Sequence, residues 1–97
     1  MEILTPAKLI ASKLPNSVLQ EWDMAPKNYD FTIKGFKELV DDVMLKTWIV
    51  DFYRSINCQC VMDEDLTGEV TAGDVVYTVC ISNSKRLPLI QGTLTKY

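Results

Sequence analysis

The side chains able to do chemistry in this 97-residue chain are carboxylates and thiols: Asp and Glu together number 13, Cys 3 and His 0. Without imidazole there is no Ser–His or Cys–His pair, no general base with an ordinary pKa near neutrality and no His metal ligand. Cys58-Gln59-Cys60 offers two thiols, but a tetrahedral zinc site takes four ligands and only Cys80 is left to add a thiolate. In an extended segment Cys58 and Cys60 share a face with Ile56 and Met62, so this spacing reads as apolar packing. The glycines stand apart at Gly35, Gly68, Gly73 and Gly92, and none opens a phosphate-binding loop. Carboxylate pairs hydrolyse glycosidic bonds, but a domain this small leaves little room for a substrate cleft beside its core. The chain reads as non-enzymatic, with no catalytic residue, no cofactor and no metal.

The carboxylates are the more informative set. The net charge of −3 divides into +1 over residues 1–37, −7 over 38–74 and +3 over 75–97. Glu38, Asp41 and Asp42 fall at i, i+3 and i+4, which places all three on one face of a helix. Asp63-Glu64-Asp65, followed by Glu69 and Asp74, adds a second group in a loop region. Asp63-Glu64-Asp65-Leu66-Thr67-Gly68 lacks the alternating ligand spacing of an EF-hand, which argues against calcium. A solvated face is one reading of the cluster. The other is a negative surface that attracts a basic partner and competes for the groove that would hold phosphates. Partner binding through Glu38, Asp41, Asp42, Asp63, Glu64 and Asp65 would also need apolar anchors, for which Trp22, Tyr29 and Trp48 are the candidates. Direct nucleic-acid binding is disfavoured by a pI near 4.8 and by dispersed lysines.

These residues need elements to position them. The length predicts a single domain over 1–97. Thr5-Pro6 starts a short helix that Pro15 interrupts, and Asn16 caps a second short helix carrying Val18, Leu19 and Trp22, so 1–23 reads as a helical arm. Residues 24–29 read as a connection. Ile33, Phe36, Val40 and Val43 recur at intervals of three and four, which predicts one long helix over 30–56 ending near Asn57, with a strand over 47–56 as the alternative. Residues 57–97 form a β region with strands near 58–62, 75–82 and 87–95, and Gly68 and Gly73 bracket a loop or short extra strand. Pro88 cannot donate to a ladder, which puts the last strand at an edge. The expected fold is α+β: N-terminal helices and one long helix packed on a small antiparallel sheet of about three strands.

The first residues show no basic segment followed by an apolar run, no window is apolar enough to span a bilayer, and an odd cysteine count fits a reducing compartment. The expected location is the cytoplasm, without membrane contact. In size and segregated acidity the chain resembles the small phage-encoded anti-CRISPR proteins, a resemblance of general character rather than of motif, from which no residue is carried over. It implies an inhibitor in the host cytoplasm that binds a host protein or ribonucleoprotein complex with a basic surface, in some cases as a DNA mimic. The alternative expectation is a structural or assembly subunit that self-associates, as a homodimer, through its sheet, by the strand around Tyr77 or the neighbouring edge.

Overall fold

In residues 28–34, Tyr29, Phe31 and Ile33 alternate with Asn28, Asp30, Thr32 and Lys34, a period of two that builds a half-buried strand. The computed structural model describes residues 5–25 and 28–97, without the side chains at 23–25. It contains α1 (Ala7–Ser12), β1 (Val18–Ala25), β2 (Asn28–Lys34), α2 (Asp42–Ser55), β3 (Gln59–Met62), β4 (Thr67–Ala72), β5 (Val75–Asn83) and β6 (Leu89–Lys96). The strands form one antiparallel sheet in the order β1-β2-β6-β5-β4-β3. A hairpin from the N-terminal third thus docks onto the last strand, and β3 to β6 form a meander.

This overturns the expected three-stranded sheet under one long helix. The proposed second helix of the arm is β1, and the first part of the proposed long helix is β2. Ile33, Phe36 and Val40 do keep helical spacing, but Gly35, at φ +84°, ends β2 and turns the chain away from the sheet. Of the expected connection over 24–29, Pro26 and Lys27 lie outside the described residues, as do the N-terminal residues 1–4. The last strand is not at an edge: β6 lies between β2 and β5, and Pro88 precedes it, its carbonyl accepting from Gly35 N at 3.4 Å. The strands expected near 58–62, 75–82 and 87–95 are present as β3, β5 and β6, and the segment between Gly68 and Gly73 belongs to β4.

The helix reading of 47–56 is correct to its end. Tyr53 O accepts from Cys58 N at 2.9 Å and Arg54 O from Asn57 N at 3.2 Å, with Asn57 at φ +64°, so Asn57 closes α2 in a Schellman motif. Both helices cover one face of the sheet. Ile10, Leu45, Ile49 and Tyr53 pack against Phe31, Ile33, Val70, Tyr77, Val79, Ile90 and Leu94 in a single core. Cys58, Cys60 and Met62 join that core, but Ile56, expected beside them, is exposed at the helix end. The edges are guarded: β3 is short, and β1 carries Glu21 on the covered side, where the Tyr29 hydroxyl donates to its carboxylate.

Two glycines are required by close packing. A Cβ at Gly92 would run into the Phe31 ring and Ile81 Cδ1, while one at Gly68 would run into the Val61 carbonyl. Gly92→Ala should therefore cost about 1–3 kcal/mol, because the Phe31 ring has to move. Gly68→Ala should cost more, because the obstacle is backbone in the paired strand. Urea unfolding of both variants checks the order, and a milder effect at Gly68 would contradict this packing.

Candidate interaction site

The three acids expected on one helix face divide into three environments. Glu38 lies before α2 and is exposed. Asp41 is the N-cap, with extended backbone and a carboxylate that accepts from Val43 N at 2.7 Å. Asp42 lies in the first turn, pairs with Lys85 at 2.5 Å and accepts from Asn83 Nδ2 at 2.7 Å. Asn83 also donates to Val40 O at 2.7 Å, so the end of β5 holds the start of α2. The hydrogen bond from Lys85, followed by that from Asn83, holds the Asp42 carboxyl below its ordinary value.

The second acidic group, Asp63, Glu64 and Asp65, forms the β3–β4 turn. Thr67 donates to Asp65 Oδ1 from its hydroxyl at 2.7 Å, and Asp63 N donates to Thr67 O at 2.7 Å. Leu66 completes this turn at φ +64° with its side chain buried, a left-handed conformation more often given to glycine. Ile81 N donates to Leu66 O at 2.9 Å, which fixes the turn beside β5.

The strand directions put these groups at the same end of the sheet, the start of α2 beside β5 and the 63–65 turn at the β3–β4 edge. β2 ends, α2 begins, β3 turns into β4, and β5 turns into β6 at the same end of the sheet. Lys34, Lys37, Lys85 and Arg86 lie at that end as well, so the acids do not form an uninterrupted negative field. Beside Glu38 and Asp41, the end of α1, the 36–41 segment and the first turns of α2 enclose a groove of about 490 Å³. Its walls include Phe36, Val40, Met44 and Trp48, and its rim carries Lys13, Lys37, Glu38 and Asp41. Leu39 and Met44 are each 50% exposed and neighbouring Val43 is 73% exposed, so an apolar surface flanks the acids. Lys13 Nζ stands 5.5 Å from the centre of the Trp48 ring.

Of the three expected anchors, Trp48 lies in this groove with Glu38 and Asp41, Trp22 lies on the sheet face opposite the helices, and Tyr29 is buried in the core. Leu39, Met44 and Lys13 were not singled out by sequence reasoning. Their only signal is a run of large side chains around an N-cap, which reads equally as core.

The thiols are divided. Cys58 and Cys60 are buried and Cys80 is exposed. Burial pushes the Cys60 thiol up from its ordinary value of 9.0, against the opposing pull of the Arg54 cation. Burial also raises the Tyr53 hydroxyl. Among the described residues, no group of three or more Cys, Asp or Glu is placed to hold a metal ion, and no helix is long and apolar enough to cross a membrane. Compared with protein families, characterised proteins and solved structures, the chain matches none.

Two outcomes follow from these environments. A thiol reagent should label Cys80 rapidly in the native protein and Cys58 and Cys60 only at the rate of unfolding. Because the folded state keeps Cys60 protonated where the unfolded chain ionises, stability should fall as pH rises above 9.0. Urea midpoints between about pH 8 and pH 11 measure this, and Cys60→Val should flatten the first part of the decline.

Proposed function

We propose that the chain is a non-enzymatic protein-binding inhibitor of a nucleic-acid-handling complex, of the anti-CRISPR kind, that docks on a partner's basic surface with the α2 end of its sheet. One observation carries this reading: the fold brings Glu38, Asp41 and the Asp63–Asp65 turn to the end of the sheet beside which the groove of Leu39, Met44 and Trp48 opens. The acids steer and orient a cationic partner, and the apolar groove supplies the desolvated anchors on which affinity depends. Lys85 already neutralises Asp42, and the Asp41 carboxylate is occupied by the helix cap. The groove therefore contributes more to binding than a phosphate-like row of charges does.

The alternative, self-association through the sheet, draws no support from Tyr77 itself, whose side chain faces the core and is buried. The sheet edges carry the guards already described.

Affinity capture from host lysate with a salt gradient identifies the partner, and variants then test the surface. Glu38→Lys, Asp63→Lys and Glu64→Lys together should slow association and reduce its salt dependence without unfolding the protein. Leu39→Ala with Met44→Ala should weaken binding by about tenfold or more. Asp41 and Asp42 are unsuitable for this purpose, since replacing either disturbs the start of α2. Unchanged affinity in both multiple variants would reject this surface as the binding site.

A further inference from the structure

The sheet face opposite the helices carries a second concavity, of about 450 Å³, over the backbone of β2 and β6. Trp22, Asp30, Thr32, Gln91 and Thr93 surround it. Trp22 is 41% exposed, and the residues that surround the concavity with it, Asp30, Thr32, Gln91 and Thr93, are polar, so the indole stands apart from the core formed on the other side. A large aromatic ring held in water within a polar face is the kind of exposed apolar group that calls for an explanation. The backbone adds an independent sign. Immediately after Trp22 the β1–β2 pairing loses its register, an irregularity of the type that re-aims side chains beside binding sites.

The chemistry of the lining selects the ligand. Thr32, Thr93 and Gln91 both donate and accept hydrogen bonds, and Asp30 only accepts. Among the described residues that line the concavity the one charged side chain is Asp30, a carboxylate, which disfavours phosphates and nucleic acid there. A neutral ring of hydroxyls finds alternating donors and acceptors, with an indole plane for its C–H face. The same surface continues across the sheet: Thr93 pairs with Cys80 and Cys80 with Thr67, while Thr95 pairs with Thr78. These rows extend the surface beyond the concavity, over a span longer than one sugar unit.

We propose that this face is a binding site for a neutral oligosaccharide, with Trp22 as the stacking platform and Asp30, Gln91 and Thr93 as its hydrogen-bonding groups. It is separate from the α2-end groove, and neither site depends on the other.

Cellohexaose, maltohexaose and chitohexaose serve as probes, with amide shifts of the ¹⁵N-labelled full chain as the readout. The expected result is that at least one of them moves the amides of β1, β2 and β6 and leaves those of α2 in place. Trp22→Ala should weaken that binding about tenfold or more, and Gln91→Ala, also at an exposed position, should weaken it less. Unchanged shifts with all three probes at millimolar concentration would overturn the proposal. So would equal binding by Trp22→Ala, or a response to choline in place of the sugars, which would make the Trp22–Asp30 pair a cation site.

Discussion

The pairing of β2 with β6 is the constraint on which the rest of the molecule depends. Each neighbouring unit is local: β1 and β2 form one hairpin, and β3 to β6 follow one another in a meander. Among the described residues, the β2–β6 ladder, which aligns Asn28 with Thr95 and Lys34 with Leu89, is the one strand pairing that joins the two units. The contact at its centre is Phe31 lying over Gly92 against Ile81, a fit that no larger residue at 92 would allow. Forming this ladder closes most of the chain into a loop, so its entropy cost falls due before its contacts are complete.

Once the ladder exists, α2 has one route. The chain leaves β2 at one end of the sheet and must begin β3 at the far edge, so the helix crosses the covered face. Asp41 and the Asn83–Asp42–Lys85 cluster fix its start, and the Asn57 motif fixes its end. With both helices on one side, the sheet becomes asymmetric. One face is core, and the other presents threonines, glutamines and one indole to water. The groove forms where α1 and the start of α2 meet the segment after Gly35. The two candidate surfaces are thus both consequences of covering a wide sheet from one side.

The acids illustrate how a fold reassigns charge. Residues 38–74 hold a net −7, but several of those carboxylates perform structural work. Asp41 caps a helix, Asp42 binds Lys85 and Asn83, and Asp65 organises a turn. Glu38, Asp63 and Glu64 remain the better candidates for a partner, since no such contact engages them among the described residues. Burial has a comparable effect on the thiols, because it makes Cys58-Gln59-Cys60 part of the core and leaves Cys80 as the accessible one.

The sequence by itself determined the elements whose signals are local. Asn57 marks the end of a helix because its left-handed backbone is tolerated there, and the β-rich runs that become β3, β5 and β6 are bounded by turn residues. The burial of Cys58, Cys60 and Met62 follows from the same short-range alternation. Tertiary structure alone decided that 18–25 and 28–34 are strands. Tyr29, Phe31 and Ile33 satisfy a period of two, while Ile33, Phe36 and Val40 satisfy a helical one, and only the β6 ladder selects between them. It also decided which acids stay available, because the cation that neutralises Asp42 comes from the β5–β6 connection, far away in the chain. The groove around Trp48 was invisible for the same reason: its walls come from segments whose proximity is a property of the sheet, not of any local pattern.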